Sequence, residues 1–147
     1  MISVRRAQLD DLDAVLALFH ASEVSPAAED AARRQQIWQE TITSSQMAVF
    51  VAGDQSILAS CTLITAPNLL RQGRSHAFLE NVVTHPDHRG RGYGSAAVRA
   101  ALAHAWQMDC HQVLLQSGRA DPRVHQFYRK CGFVPDLRTA YAIRRPD

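Results

Sequence analysis

Hydrophobic and polar positions divide this chain of 147 residues into short runs with two different spacings. Apolar residues that recur every three or four positions, as from Leu9 to Phe19, predict a helix. Residues that alternate, or that form short apolar runs between turn signals, predict strands. The predicted elements are, in order, strand 2–6, helices 9–19 and 27–43, strands 47–52, 56–64 and 76–84, helix 96–108, strand 112–116, helix 122–130 and strand 137–144.

The order of these elements predicts a mixed α/β fold. Gly53-Asp54-Gln55 lies between two strands and indicates a hairpin, so the first half of the sheet is expected to be antiparallel rather than doubly wound. The segment 65–74 is the longest irregular stretch. The length suits a single domain over residues 1–147, which buries about two-thirds of the surface of its unfolded chain.

Composition narrows the classes of function. A hydrophobic content of 46% and a charged content of 20% are typical of a soluble globular domain without disorder. The net charge of +2 is too small to indicate nucleic acid as a partner. Three widely spaced cysteines predict neither a zinc site nor a disulfide framework. No apolar run is long enough for a signal or a membrane span, so we expect a cytoplasmic protein.

The stretch 89–95 reads Arg-Gly-Arg-Gly-Tyr-Gly-Ser and lies between a predicted strand and a predicted helix. A strand that turns through glycines into a helix leaves backbone N–H groups unpaired at the helix N-terminus, where they bind anions. Glycine also lets a phosphate approach the backbone closely, and two arginines add positive charge. The stretch therefore predicts a phosphate or pyrophosphate site.

Three known phosphate-binding motifs can be compared with this loop. A nucleotide P-loop requires a lysine after the glycines, which this chain lacks. A dinucleotide fingerprint requires glycine at the position of Ser95 and a tighter turn than 84–88 allows. The pattern Q/R-x-x-G-x-G/A is met by Arg89, Gly92 and Gly94. It resembles the pyrophosphate loop of the GCN5-related N-acetyltransferase (GNAT) superfamily, which binds acetyl-coenzyme A (acetyl-CoA).

Two further segments resemble the same superfamily. Residues 79–90 are similar to its fourth strand and the following turn, and residues 127–133 to the F/L-Y-x-x-x-G-F segment that closes its cofactor half. The three segments stand in the family's order over about the C-terminal half of the chain. The resemblance implies the GNAT fold, a central mixed sheet flanked by helices, and an enzyme that transfers acetyl from acetyl-CoA directly to a primary amine.

The resemblance also implies which residues hold acetyl-CoA. The backbone of Val82 and Thr84 would pair with the pantetheine arm, and the N–H of Val82 is the candidate oxyanion donor. Asp121 stands where the family often has asparagine and is expected to cap the fourth helix. The predicted cofactor-binding residues are Val82, Val83, Thr84, Arg89, Gly90, Arg91, Gly92, Tyr93, Gly94, Ser95 and Asp121.

Two residues are predicted to be catalytic. An alkylammonium with a pKa near ~10 must lose a proton before attack, and Glu80 is the candidate base. Glu80 lies in an otherwise apolar and amide run, so it is either exposed in a cleft or paired with an arginine. Tyr128 lies four residues before Gly132, where the superfamily usually places the tyrosine that protonates the thiolate. The alternative for Tyr128 is a core aromatic residue.

The acceptor is predicted from three arginines, and one departure from the family pattern argues against a direct carry-over of the sugar substrate. In glucosamine-phosphate N-acetyltransferases a Glu-Asp pair stands at the positions of Glu80 and Asn81, and this chain differs at Asn81. Guanidinium groups recognise carboxylate and phosphate. We therefore expect a small amine with an anionic group, of the amino acid or amino sugar type, contacted by Asn81, Arg71, Arg74 and Arg119.

Several alternatives remain open. His85 and His88 lie in a turn without a third ligand, so no metal is predicted. The function is either small-molecule acetylation, protein or peptide acetylation, or CoA binding without catalysis. Glu80 together with Tyr128 favours an enzyme, and the basic 65–74 segment is unfavourable for a basic peptide. We expect no nucleic-acid or membrane partner, and the strand 137–144 is free to pair across a homodimer.

Overall fold

A four-stranded antiparallel sheet with the strand order β1-β2-β3-β4 is present in the computed structural model, which describes residues 1–147. The strands are Ser3–Arg6 (β1), Met47–Gly53 (β2), Ile57–Ala66 (β3) and His76–Thr84 (β4). The helices are Leu12–Ala21 (α1), Ala31–Thr43 (α2), Tyr93–Gln107 (α3) and Pro122–Lys130 (α4). Short 3-10 turns lie at Leu9–Asp11, Arg71–Gly73 and Pro86–His88.

The chain falls into two compact units, Met1–Leu115 and Gln116–Asp147. The first contains the sheet and α1 to α3, and the second contains α4. The mixed α/β fold class is confirmed, whereas a single domain over 1–147 stays a prediction. No helix is long and apolar enough to cross a lipid bilayer.

The strand β2 separates two layers of the core in the first unit. Val49 packs with Val15 of α1 and Trp38 of α2. The next residue, Phe50, places its ring 5.7 Å from that of His104 on α3. Because successive side chains of a strand point to opposite faces, α1 and α2 cover one face of the sheet and α3 covers the other. The buried surface of α3 consists, apart from Val98, of small residues that allow a close approach, namely Gly94, Ala97, Ala101 and Ala105.

The N-terminal helices begin later than predicted. The predicted helix 9–19 is a 3-10 turn followed by α1, which starts at Leu12. Arg5 of β1 binds Asp11 at this junction through two hydrogen bonds of 2.7 and 2.9 Å. These bonds lower the pKa of the Asp11 carboxyl, against the opposing effect of burial. The helix α2 starts at residue 31 rather than 27, because the side chain of Asp30 accepts the N–H of Ala32 and caps it there.

Two predicted strands differ in the structure. The segment predicted as strand 112–116 pairs with β4 in parallel at only one isolated bridge, Phe78 with Leu114. A second parallel bridge, Ser75 with Cys110, lies just before both segments. The prediction of a terminal strand over residues 137–144 is wrong, because no residue of this segment pairs with a strand. Its apolar side chains are exposed. Alternation of apolar and polar residues is therefore not sufficient for a strand where no neighbouring strand is available for pairing. Pairing of this segment across a homodimer stays a prediction.

His104 makes the stability of the fold depend on pH. Burial, and secondarily the charge of Arg6, lowers the pKa of His104. The unfolded chain therefore takes up a proton near the ordinary value of about 6.5 while the folded chain resists it, so stability is lost as the pH falls below about 6.5. Between pH of about 7.5 and 5.5, the melting temperature of the wild type should fall further than that of His104→Gln. Equal losses, measured by circular dichroism, would contradict this.

Candidate functional site

The strand β4 contains a β-bulge at Asn81. Between the pair Glu80–Thr62 and the pair Val83–Ser60, β4 has one residue more than β3. Asn81 has a φ of 51°, in the left-handed region that asparagine tolerates better than most residues other than glycine. The strain is therefore concentrated at one exposed residue beside Glu80.

The bulge reverses which backbone groups face β3. Before it, the N–H of Leu79 donates to the carbonyl of Leu114 at 2.9 Å, so the odd-numbered residues face away from β3. After it, the N–H of His85 donates to the carbonyl of Leu58 at 2.8 Å, so the odd-numbered residues face β3. Backbone groups alternate in direction along a strand, so the even-numbered residues after the bulge face outward.

Val82 and Thr84 consequently present their N–H groups on the open edge of β4. The segment 110–114 follows β4 only as far as Leu79, and no backbone hydrogen bond is made to Val82 or Thr84 on this side. Two unpaired N–H groups at a sheet edge form the pattern to which an extended ligand adds by backbone pairing. This is the local geometry expected for the predicted pantetheine contacts, and Val83 lies buried between them.

Glu80 lies next to the bulge, on the sheet face that carries α1 and α2. It is opposite Thr62, which is opposite Val49, and residues directly opposite each other share a face. The Glu80 side chain is exposed, and it makes no hydrogen bond and no ion pair. The structure therefore excludes a Glu80–arginine pair and leaves the carboxylate free to accept a proton.

The loop before α3 leaves consecutive N–H groups unpaired. Gly92 has a φ of 93° and no side chain caps the helix. The first N–H that bonds within the helix is that of Ala96, to the carbonyl of Gly92 at 3.0 Å. Helix N-terminal N–H groups without a partner attract anions. Those without a partner here belong to Tyr93, Gly94 and Ser95.

The space above the loop fits a phosphate group. A Cβ added at Gly90 would meet no atom within 4 Å, so the approach to the backbone is open. Arg89 is exposed and has no hydrogen-bond or ion-pair partner, while Arg91 lies 3.4 Å from a ring nitrogen of His88. The donors and charges therefore suit the pyrophosphate of acetyl-CoA. The helix starts at Tyr93 rather than at the predicted residue 96, which places Gly94 and Ser95 in its first turn.

Arg71 and Arg74 lie at the opposite end of β4. Arg74 approaches Asp109, which follows α3, at 3.6 Å. At ~3.3 Å per residue, Arg74 is roughly 20 Å along the chain from Glu80. The open edge also lies in the other direction, beyond Leu79. This placement does not support a contact between these two arginines and an amine beside Glu80, and we leave both out of the acceptor site proposed below.

The second unit carries the other predicted residues. Asp121 caps α4, as predicted, by accepting the N–H of Arg123 at 2.9 Å. Tyr128 is half-buried, and its ring is 6.0 Å from that of Phe133. The Arg119 carbonyl lies 2.9 Å from a ring nitrogen of a histidine on α4. The acid role of Tyr128, the cofactor contact of Asp121 and the acceptor contact of Arg119 stay predictions.

The sequence predicted a contact between Asn81 and the acceptor, but not that Asn81 forms the β-bulge at positive φ. Replacement by valine should lower the free energy of unfolding by about 1–3 kcal/mol, because a β-branched residue is strained at positive φ. Asn81→Gly is the matched control and should stay within about 0.5 kcal/mol of the wild type, since glycine adopts this conformation freely. Urea denaturation measures both. Equal stability of the two variants would show that the bulge is not held by residue 81.

Comparison with known proteins places this fold in a family. Residues 12–133 match the family described as Acetyltransferase (GNAT) family. The chain belongs to the GNAT family. The solved structure of a putative acetyltransferase from Agrobacterium tumefaciens str. C58 is similar to this GNAT protein at 38% identity, with a TM-score of 0.88 over 97% of this chain and 99% of that chain.

Two curated relatives of this GNAT protein come from Oryza sativa subsp. japonica. The probable glucosamine 6-phosphate N-acetyltransferase 2 is 35% identical over 83 residues, which are 56% of this chain and 48% of the relative. Glucosamine 6-phosphate N-acetyltransferase 1 is 27% identical over 135 residues, which are 89% of this chain and 80% of the relative. The chain thus spans about half the length of the first relative that it matches.

Proposed function

We propose that this GNAT protein is an N-acetyltransferase that transfers acetyl from acetyl-CoA directly to the primary amine of a small acceptor. The family and the named relatives support an N-acetyltransferase enzyme. The observation that carries the proposal is the bulge at Asn81, which leaves the Val82 and Thr84 N–H groups unpaired beside the unpaired carboxylate of Glu80. A donor-binding edge and a proton acceptor are thus adjacent.

The loop residues hold the donor in this proposal. Acetyl-CoA supplies an activated acetyl thioester and a thiolate leaving group. The unpaired N–H groups of residues 93–95 bind its pyrophosphate, with the guanidinium groups of Arg89 and Arg91 beside them. The N–H of Thr84 binds the pantetheine arm. The N–H of Val82 binds the carbonyl oxygen as its negative charge develops, a contribution of about 3 kcal/mol for one such donor.

Glu80 and Tyr128 move protons in opposite directions. The Glu80 carboxylate accepts a proton from the acceptor ammonium, so that the amine attacks in its neutral form. The Tyr128 hydroxyl donates a proton to the thiolate, for which a phenol with an ordinary pKa near ~10 is a competent acid. The lack of a hydrogen-bond or ion-pair partner for the Glu80 carboxylate supports the first role. The motif at residues 127–133 supports the second.

The acceptor is a small amine with an anionic group, of the amino sugar phosphate or amino acid type. The relatives named glucosamine 6-phosphate N-acetyltransferases support an amino sugar phosphate. The sheet face around Glu80 supplies the proton acceptor for its amine, and the contact of Arg119 with the acceptor stays a prediction.

Specificity constants on matched amines test this proposal. Glucosamine 6-phosphate, glucosamine, an amino acid and spermidine are compared as acceptors with acetyl-CoA. We expect glucosamine 6-phosphate to exceed glucosamine by about tenfold or more, because the pair differs only in the phosphate. A higher kcat/KM for spermidine or for a lysine-rich peptide than for every anionic amine would overturn the acceptor assignment.

A further inference from the structure

The turn before α3 carries two histidines that have no role in the proposed mechanism. The rings of His85 and His88 meet edge to face with centroids 5.1 Å apart, and those of His88 and Tyr93 with centroids 6.2 Å apart. The Nη1 of Arg91 lies 3.4 Å from the Nδ1 of His88. Arg89 has no such partner. Of the two arginines on the loop, only Arg91 is oriented by a neighbour.

The hydrogen bonds indicate which ring nitrogen of each histidine is the acceptor. Arginine has donors and no acceptor, so the Nδ1 of His88 is the acceptor and its hydrogen lies on Nε2. The Nδ1 of His85 accepts the N–H of Asp87 at 3.2 Å, which gives His85 the same tautomer and fixes its ring. The His85 ring in turn supports that of His88 through their edge-to-face contact. The Arg91 guanidinium is therefore held by His88, His88 is held by His85, and His85 is held by a backbone N–H group.

We propose that His88 is a positioning residue for cofactor binding, which holds the Arg91 guanidinium through its Nδ1 so that Arg91 binds a phosphate of acetyl-CoA. This rests on the proposed function, since the phosphate is that of the acetyl donor. Arg91 uses one N–H on His88 and keeps four for a phosphate, which is enough for a bidentate contact. A guanidinium that is held before the ligand arrives loses less rotamer freedom on binding.

The cluster of His85, His88 and Arg91 lies at the surface, so substitutions in it are expected to change cofactor affinity without changing the stability of the fold. Arg91 is exposed and His88 is half-buried. A hydrogen bond in this environment contributes little to stability. A variant of His88 that changes cofactor affinity should therefore leave the melting temperature unchanged, as a merely structural role would not.

Two substitutions separate the acceptor atom of His88 from its ring. His88→Asn keeps an acceptor near the position of Nδ1 and removes the ring. His88→Phe keeps the aromatic contacts and removes the acceptor. Calorimetry with coenzyme A is carried out on both variants, on Arg91→Ala, on the double variant His88→Phe/Arg91→Ala and on Arg99→Ala, in which the arginine removed is an exposed one on α3 without a partner.

The expected pattern is specific to positioning. Arg91→Ala should weaken affinity about tenfold, His88→Phe several-fold, and His88→Asn by less than about twofold. The double variant should bind no more weakly than Arg91→Ala alone, because His88 acts only through Arg91. Arg99→Ala should bind like the wild type. Additive losses in the double variant, or equal losses for His88→Phe and His88→Asn, would overturn the proposal.

The wild type distinguishes this inference from the proposed function. If the wild type binds coenzyme A and Arg91→Ala binds equally well, the positioning role is wrong while the proposed function stands. If the wild type does not bind coenzyme A, both fail. If His88→Phe lowers the melting temperature, His88→Asn and Arg91→Ala are compared instead. Retained affinity for coenzyme A in His88→Asn together with lost affinity in Arg91→Ala supports the positioning role of His88. Loss of affinity in both overturns it.

Discussion

Glu80→Gln should lower the turnover number for acetyl transfer by about 10²-fold or more. Glutamine preserves the size and the hydrogen-bonding outline of the side chain but does not accept a proton from an ammonium group. Glu80 is exposed and unpaired, so its replacement removes no stabilising ion pair. The affinity for coenzyme A should change by less than about twofold, because the cofactor contacts proposed above belong to the backbone and the loop.

Glu40→Gln provides the matched control for this substitution. Glu40 is also an exposed glutamate, but it lies on α2 and its carboxylate accepts from Gln36 at 3.2 Å. We expect its turnover number to equal that of the wild type. Steady-state kinetics with an identified acceptor measure both variants. Wild-type turnover in Glu80→Gln, or equal losses in the two variants, would remove Glu80 from the mechanism.

Gly92→Val should abolish measurable binding of coenzyme A while the protein still folds. Gly92 has a φ of 93°, which valine does not adopt without strain, so the loop must change its backbone angles. The N–H groups of residues 93–95 then lose their common orientation. The added Cβ would lie 3.1 Å from the end of the Ile2 side chain, which is free to move, so steric damage to the core is small. Calorimetry should show affinity reduced at least ~10²-fold.

Gly73→Val separates loss of the anion site from backbone strain. Gly73 has a φ of 81°, and a Cβ there would meet no atom within 4 Å. Its strain should be similar, with about 1–3 kcal/mol lost from the free energy of unfolding, but it lies at the opposite end of β4 from the loop. We expect unchanged affinity for coenzyme A. Retained affinity in Gly92→Val, or equal loss in Gly73→Val, would contradict the assignment of the loop.

Local patterns were sufficient where an element is defined by its own residues. The bounds of β4 at 76–84 and of α4 at 122–130 are those predicted. In α4, the Asp121-Pro122 start is a local signal, because the carboxylate caps the helix and proline suits its first turn. The Gly-rich loop was also recognisable, since Gly90 and Gly92 are favoured by positive φ within the loop itself.

Features that depend on a neighbouring strand or helix were not predictable in this way. The bulge at Asn81 is a mismatch between β4 and β3, and no spacing within β4 contains the register of its partner. The Arg74–Asp109 contact depends on where α3 ends relative to β4. Residues 137–144 have the alternation of a strand but no strand beside them in the structure. The asparagine in an apolar run was the one signal available for the bulge.

Acetyl-CoA-dependent formation of an N-acetylated amine is the most direct test of the central claim. The purified protein is incubated with acetyl-CoA and glucosamine 6-phosphate, and mass spectrometry of the acceptor is combined with a thiol assay for released CoA. We predict an acceptor heavier by one acetyl group, in equal amount to the CoA released, and a rate about 10²-fold lower for Glu80→Gln. Binding of coenzyme A with no acetylation of any amine in the acceptor panel would contradict the claim and leave a CoA-binding module.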